Sequence, residues 1–279
     1  MKARIEDERK VIYRKHIKIS YSKIKKNESK KALIFLHGLG GNSSSWDRIR
    51  VHISHLNINS YAVDLRGHGF SGRPKAVDAY SLSNIASDIN RLIEYESISS
   101  YILIGHCFGG MVATFLASQD DPKMCGLVLV NSCKNPPPYA RWIRYLSPME
   151  KFIKRTAEYI PNIGSEGRAD YTRFINTGDW DLRRILVDIN HTTLKPYILL
   201  LRTAVAFDAT SMLHSIKVPT LILSGEKDTI FPQYQAESLQ RDIKNSNIEY
   251  IKDANHIMIW NHSRDVAERL KEFLSEVNL

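Results

Sequence analysis

Short apolar runs recur along the chain, and turn-forming residues follow each of them. A strand that is buried on both faces of a parallel sheet has a continuous apolar run rather than an alternating one. The pattern therefore predicts buried strands in six places, at residues 32–36, 59–65, 101–105, 126–130, 220–225 and 247–253.

Segments with helical periodicity lie between most of these runs. Residues 81–97 begin with a serine that can cap a helix and continue with leucines and isoleucines at helical spacing. Residues 109–119 form a small, apolar segment suited to a buried helix, and residues 264–277 repeat the amphipathic pattern. Strands that alternate with helices predict an α/β fold with a doubly wound, mostly parallel sheet.

One region interrupts this alternation. Three successive prolines at 136–138 precede helical fragments rich in aromatic and basic residues, and we predict no buried strand before about His214. Such an insertion is too long for a simple connection and predicts a helical lid over the carboxyl ends of the strands, inserted after the sixth strand. The predicted organisation is a core of residues 1–135 and 215–279 and a lid of residues 136–214.

The charge is unevenly distributed over the 279 residues. Residues 1–31 hold 12 Lys+Arg and 4 Asp+Glu, a net charge of +8 out of the total of +9, so the rest of the chain is nearly neutral and no nucleic-acid partner is expected. The lysine-rich stretch 23–31 fits a strand edge or loop that lysines protect from aggregation, or a patch that contacts phosphate or a membrane.

The sequence has no feature of a membrane or secreted protein. No apolar run approaches the roughly 18 residues needed to cross a bilayer, and the charged start lacks the apolar core of a signal peptide. Cys107, Cys125 and Cys133 are too few and too irregularly spaced for a disulfide framework or a CxxC metal site. We therefore expect a cytoplasmic protein with reduced thiols, no metal and no cofactor.

The most informative motif is GHCFGG, residues 105–110, between a predicted strand and a predicted buried helix. A tight strand-to-helix turn exposes a nucleophile only if its neighbours have almost no side chains, and Gly105, Gly109 and Gly110 meet this condition. Cys107 would lie at the amino end of the helix, where the helix dipole favours a thiolate. We predict that Cys107 is a catalytic nucleophile.

Two partners for this nucleophile follow later in the chain. Asp228 comes in the loop after one buried strand and His256 just after the next, so both would open on the same edge of the sheet as Cys107. His262 is the competing base and Asp253 the competing acid, although Asp253 is too close to His256 in sequence to reach its far ring nitrogen easily.

These motifs together resemble the α/β-hydrolase superfamily. GHCFGG resembles its nucleophile elbow, HGLGG (37–41) its oxyanion loop, DLRGHGFS (64–71) a common turn after the fourth strand, and GEKD (225–228) and NHI (255–257) its acid and histidine loops. The resemblance covers essentially the whole chain outside the lid. It implies that the backbone N–H groups of Leu39 and Phe108 form an oxyanion hole, but it says little about the substrate.

The chain departs from that pattern at Cys107, because most members with these motifs have serine there. Dienelactone hydrolases and polyhydroxyalkanoate synthases also carry cysteine, although the first usually lack so large a lid and the second are longer chains. A thiol beside an imidazole and a helix amino end attacks activated acyl groups readily, and the intermediate is a thioester. The first hypothesis is therefore hydrolysis of an ester, thioester or activated lactone through a Cys107–His256–Asp228 triad.

Two other functions remain open. An acyltransferase would pass the acyl group to a small amine or alcohol, and a non-catalytic binding protein would keep the pocket without turnover.

For substrate contacts we expect Gly38 and His106 beside the nucleophile, and Tyr139 and Trp142 of the lid along an acyl channel. The expected partner is a small acyl substrate, including a coenzyme A or carrier-protein thioester. Basic lid residues such as Arg141 would contact the phosphate of such a thioester, or they simply face solvent.

Overall fold

A computed structural model describes residues 7–136 and 161–277. Its centre is one eight-stranded sheet with the order β1-β2-β4-β3-β5-β6-β7-β8. The strands are β1 (Glu8–Arg14), β2 (Ile17–Ile24), β3 (Lys31–Leu36), β4 (Asn59–Val63), β5 (Ser100–His106), β6 (Met124–Val130), β7 (Thr220–Gly225) and β8 (Ser246–Ile251). All neighbours from β4 to β8 pair in parallel.

Helices flank the sheet on both faces. In the described residues these are α1 (Asp47–His52), α2 (Leu82–Tyr95), α3 (Phe108–Ala117), α4 (Leu182–Thr192), α5 (Leu194–Val205), α6 (Gln233–Asp242), α7 (Met258–Asn261) and α8 (Ser263–Glu276). No described helix is long and apolar enough to cross a membrane.

The core has two apolar layers because successive side chains of a strand point to opposite faces. In β3, Leu33 packs in the layer that contains residues of α1 and α8, whereas Ile34 packs in the layer that contains residues of α2, α3 and α6. All six strands predicted from the apolar runs are present, and the predicted doubly wound, mostly parallel sheet is confirmed.

The amino-terminal hairpin was not predicted. β1 pairs antiparallel with β2, and β2 pairs antiparallel with β4, so they extend the parallel sheet at one side. β1 has only one buried residue among its seven, and its charged residues hide the strand pattern. Several basic residues of this region form ion pairs, among them Lys23 with Glu96 and Lys25 with Glu28.

The segment between β6 and β7 contains no strand in its described part, residues 131–136 and 161–219. Helices α4 and α5 lie there, together with short 3₁₀ helices at Tyr171–Phe174 and Leu213–Ser215. We call residues 161–214 the inserted segment. The predicted lid residues Tyr139 and Trp142, and the basic Arg141, lie outside the described residues.

A buried ion cluster connects the hairpin, the turn after β4 and helix α2. The carboxylate of Asp88 on α2 accepts hydrogen bonds from Arg66 at 2.6 and 2.8 Å and from Arg14 at 2.7 Å. The side chains of Asp88 and Arg66 are 3% and 1% exposed. Because neither arginine could regain full hydration there, Asp88 compensates two buried or half-buried cations.

We expect Asp88→Asn to lower the free energy of unfolding by about 3 kcal/mol, because the variant leaves buried arginine charge uncompensated. Asp120→Asn is the matched control, since Asp120 pairs with Lys217 at an exposed site and its loss should cost less than about 0.5 kcal/mol. Urea unfolding measures both values. A cost below about 1 kcal/mol for Asp88→Asn would contradict a structural role for the cluster.

Candidate active site

The backbone at Cys107 makes the sharp turn that the sequence predicts. Cys107 lies between β5 and α3 with φ 52° and ψ −115°, a conformation that residues other than glycine rarely adopt. A Cβ on Gly105 would lie 2.4 Å from the carbonyl oxygen of Gly109, and one on Gly109 would lie 2.3 Å from that of Leu36. The flanking glycines are therefore required by close backbone approach.

The structure brings Cys107, His256 and Asp228 together at the carboxyl edge of the sheet. Asp228 follows β7 and His256 follows β8, the neighbouring strand. The Nδ1 of His256 lies 2.8 Å from Oδ2 of Asp228, and Cys107 lines the same cavity as His256. The other carboxylate oxygen of Asp228 accepts hydrogen bonds from the backbone amides of Ile230 and Phe231, both at 2.8 Å. The acid is therefore oriented from both sides.

The charge state of His256 is governed by these neighbours. Burial lowers the pKa of the imidazole, but Asp228 and Cys107, which both interact with the ring, raise it to about 10 overall. The imidazolium is therefore favoured while a negative charge resides on Cys107.

The competing residues lie elsewhere. The Nδ1 of His262 lies 3.3 Å from the exposed carboxylate of Asp265, and Asp253 pairs at 2.6 Å with Lys227 on the surface. Neither His262 nor Asp253 lines the cavity beside Cys107.

Two residues that line the same cavity have backbone amides without a described partner. Leu39 and Phe108 line it, and neither backbone N–H donates a hydrogen bond to another described residue. An unpaired N–H at a loop and one at a helix amino end form the kind of donor pair that stabilises an oxyanion.

Two buried histidines hold the loop that carries Leu39. The Nδ1 of His37 donates to the carbonyl oxygen of Gly38 at 2.8 Å, and its Nε2 accepts from the amide of Leu65 at 3.0 Å. The Nε2 of His68 accepts from the amide of Gly40 at 3.1 Å. Burial lowers the pKa of His37 to about 4, so it remains neutral and keeps its acceptor nitrogen.

His106 has a structural contact in this site. Its Nε2 donates to the carbonyl oxygen of His256 at 2.9 Å, and burial together with the neighbouring His256 lowers its pKa well below the usual value. It lines a smaller cavity of about 50 Å³ together with Gly38. His106 therefore hydrogen-bonds the loop that carries His256, and its predicted contact with substrate stays a prediction.

The main cavity has a volume of about 440 Å³ and lies between the sheet edge and the inserted segment. Most of its described lining is apolar, and three charged side chains of the inserted segment also reach it. The lining comprises Leu39, Cys107, Phe108, Met111, Pro136, Asp179, Trp180, Arg184, Ile185, Asp188, Tyr197, Leu201, Ala204, Val205, Ile230, Phe231 and His256.

Sequence reasoning missed the charged residues of the inserted segment. Oδ1 of the buried Asp188 accepts a hydrogen bond from the Tyr171 hydroxyl at 2.9 Å, and Arg184 lies 3.6 Å from its other oxygen. Tyr171 also lies 3.0 Å from the carbonyl oxygen of Gly40, so this cluster contacts the loop that carries Leu39. The only signal in the sequence was the spacing of Arg184 and Asp188, one helical turn apart on α4.

The comparisons with known proteins concern the family and the fold. A family model described as "Alpha/beta hydrolase family" matches residues 33–269. The AB hydrolase superfamily protein YisY of Bacillus subtilis is 26% identical over 86% of this chain and 90% of its own length. The monoacylglycerol lipase ABHD6 of Bos taurus is 24% identical over 89% of this chain and 77% of its own length.

Solved structures share the fold at lower identity. The enol-lactonase from Burkholderia xenovorans LB400 has a TM-score of 0.75 and 20% identity, with 95% of this chain and 100% of that chain covered. A thermophilic esterase from Thermogutta terrifontis has a TM-score of 0.71 and 21% identity, with 98% and 100% covered.

Asp188 gives a prediction about stability and pH. Burial raises the pKa of its carboxyl to about 7, although Arg184 and Tyr171 lower it. The folded state thus keeps a proton that the unfolded state releases near pH 4, and stability falls as the pH rises from about 4 to about 7. Asp188→Asn removes this loss. The free energy of unfolding of the variant minus that of wild type should therefore be about 3 kcal/mol larger at pH 7.5 than at pH 4.5.

Urea unfolding at the two pH values measures this difference, and Asp170→Asn, an exposed carboxylate of the same segment, is the matched control. If wild type and Asp188→Asn respond to pH in parallel, Asp188 is ionised throughout and the interpretation is wrong.

Proposed function

The chain belongs to the alpha/beta hydrolase family, and from that membership we propose that it hydrolyses an ester, thioester or activated lactone of an uncharged acyl group through Cys107. The proposed triad is Cys107 as nucleophile, His256 as base and Asp228 as the residue that orients the base. One observation carries the proposal: a strained, glycine-flanked thiol, a histidine bonded to Asp228, and two residues whose amides have no described partner, Leu39 and Phe108, line one cavity.

In the first half of the proposed reaction, Sγ of Cys107 attacks the carbonyl carbon while His256 holds the thiol proton. The carbonyl oxygen becomes an oxyanion and accepts hydrogen bonds from the amides of Leu39 and Phe108. His256 then gives its proton to the leaving alkoxide or thiolate. The C–O or C–S bond of the substrate breaks, and an acyl thioester on Cys107 remains.

In the second half, His256 takes a proton from water, and the hydroxide attacks the thioester. Cys107 leaves and the free acid is released. Acylation removes the negative charge of Cys107, one of the two neighbours that raise the pKa of His256, while the burial that lowers it stays. The same histidine can therefore be an acid in the first half and a base in the second.

The cavity supports an uncharged, largely apolar acyl group. Among the described lining residues, Arg184 is the one lysine or arginine, and it already lies near Asp188 and donates to the carbonyl oxygen of Asp179 at 2.5 Å. An ionised acyl chain would gain little from a cation that is compensated in this way. The names of the relatives, a monoacylglycerol lipase, an esterase and an enol-lactonase, are consistent with acyl substrates. A coenzyme A or carrier-protein thioester falls within the same class.

The nucleophile is tested by intact-mass measurement after brief exposure to p-nitrophenyl esters and acyl thioesters of increasing chain length. We expect an acyl adduct on wild type and on Cys125→Ala, and none on Cys107→Ala. Cys125 is the matched control because it is a free, partly exposed thiol whose Sγ lies 2.7 Å from Ser100 Oγ at the opposite end of the sheet.

The clearance of the adduct distinguishes the alternatives. Clearance by water supports the hydrolase, whereas clearance that requires an added alcohol or amine would replace it by an acyltransferase. No adduct and no product with any donor would overturn catalysis in favour of a binding protein.

The role of Asp228 gives a second prediction. Asp228→Asn cannot orient and charge-stabilise the His256 imidazole in the same way, so kcat should fall by about 10³-fold with little change in ligand affinity. Steady-state kinetics together with a binding assay for a non-hydrolysable ketone analogue measure the two quantities. A change of less than about threefold in kcat would remove Asp228 from the triad.

A further inference from the structure

Asp179 of the inserted segment is a buried carboxylate at the cavity, and its two oxygens contact two different loops. Oδ1 accepts a hydrogen bond from the backbone amide of His256 at 2.7 Å. Oδ2 accepts hydrogen bonds from the backbone amide of Thr229 at 2.9 Å and from its hydroxyl at 2.7 Å. The residue is 6% exposed. A single side chain thus connects the loop after β7 to the loop after β8.

Each of these loops carries one member of the histidine–carboxylate pair. Thr229 directly follows Asp228, and the other amide belongs to His256 itself. The two loops come from separate strands, so the 2.8 Å bond between Nδ1 of His256 and Asp228 depends on their relative placement. Hydrogen bonds from backbone amides to a carboxylate are stronger than those to neutral acceptors. The bridge that Asp179 forms between the two loops can therefore hold them in this relative placement.

Neighbouring contacts attach the same stretch of chain to the two loops. The indole Nε1 of Trp180 donates to the hydroxyl of Thr229 at 3.1 Å, and the side-chain amide of Asn255 donates to the carbonyl oxygen of Thr177 at 2.9 Å. Arg184 donates to the carbonyl oxygen of Asp179. Residues 177–180 therefore dock on the histidine and acid loops through side chains and backbone together.

We propose that Asp179 is a positioning residue that aligns His256 with Asp228, so that the base is assembled only when the inserted segment is docked. This inference rests on the proposed function, because it assigns Asp179 a role in the base of that same site. Asp179 does not touch the reacting atoms in this scheme. It acts through the two backbone amides that it holds.

Asparagine is the informative substitution at this position. It has nearly the shape of aspartate, but one of its two side-chain ends is an NH₂ group that can only donate. One of the two loop amides would then face a donor instead of an acceptor, and the bridge would be broken at that end. Asp179→Asn should therefore misplace the histidine–carboxylate pair while the fold is kept.

The test measures the rate at which iodoacetamide alkylates Cys107, followed by intact mass and peptide mapping, with the full chain at pH 7 and pH 10. A thiol that can pass its proton to a well-placed imidazole reacts quickly at neutral pH, whereas at pH 10 hydroxide ionises it without the base. We expect Asp179→Asn to lower the rate about tenfold at pH 7 and to change it by less than twofold at pH 10. A general loosening of the site would raise the rate at both pH values.

Asp181→Ala is the matched control. Asp181 caps α4 in the same segment through the amides of Arg183 and Arg184 at 2.9 and 3.2 Å, and its side chain makes no hydrogen bond to either catalytic loop. Its loss weakens the start of the helix without touching the bridge. We expect its alkylation rates to stay within twofold of wild type. Equal loss of rate in Asp181→Ala and Asp179→Asn would overturn the proposal in favour of a structural role.

A double-mutant comparison identifies the route of the effect. If Asp179 acts through the histidine–carboxylate pair, Asp179→Asn should have less than a twofold effect at pH 7 once Asp228→Asn is present. An undiminished tenfold effect in that background would overturn the proposal.

Failure of this inference is distinct from failure of the proposed function. If wild-type Cys107 reacts at pH 7 no faster than Cys125, the thiol has no active base and the proposed function itself fails. If wild-type Cys107 reacts quickly and Asp179→Asn reacts equally quickly, only the role of Asp179 is wrong.

Discussion

The backbone conformation at Cys107 is the constraint on which the site depends. A residue with a side chain at positive φ costs about 1–3 kcal/mol, and the surrounding structure has to maintain it. Here the amide of Cys107 donates to the carbonyl oxygen of Val130 at 3.1 Å, and its carbonyl oxygen accepts from the amide of Met111, also at 3.1 Å. The turn is therefore held by the next strand and by the helix that follows. With the backbone so fixed, the thiol lies at the carboxyl edge of the sheet, where the other loops can reach it.

Four buried histidines near this edge show how neighbours decide the charge of the same ring. Burial lowers the pKa of His37, His68 and His106, and within the described part of the chain no carboxylate hydrogen-bonds any of these three rings. His256 is equally buried, but Asp228 and Cys107 raise its pKa to about 10. The rings of His37, His68 and His106 each hold a loop in place through one or both of their nitrogens. The proposed base is thus the buried histidine whose pKa its neighbours raise, above all the carboxylate of Asp228.

Much of this arrangement could be predicted from the sequence because it follows from local patterns. Continuous apolar runs indicated the parallel strands, and the glycines around Cys107 indicated a turn that the structure requires for steric reasons. The pairing of His256 with Asp228 followed from the rule that parallel strands end at one edge. The hairpin of β1 and β2 escaped detection because charged residues obscure its pattern. Asp179 and Asp188 also escaped, because an acidic residue in a helical insertion shows its partners only in three dimensions.

The order of the site along the chain has a consequence for biosynthesis. Leu39 and Cys107 precede the inserted segment, Asp228 follows it, and His256 comes after β8. On the ribosome the thiol therefore emerges well before its base. The nascent chain lacks the imidazole of the proposed triad until His256 is made, and β8 has to pair with β7 before this ring can stand beside Cys107. In a protein built in this order, the proposed nucleophile is synthesised before the proposed base that would activate it.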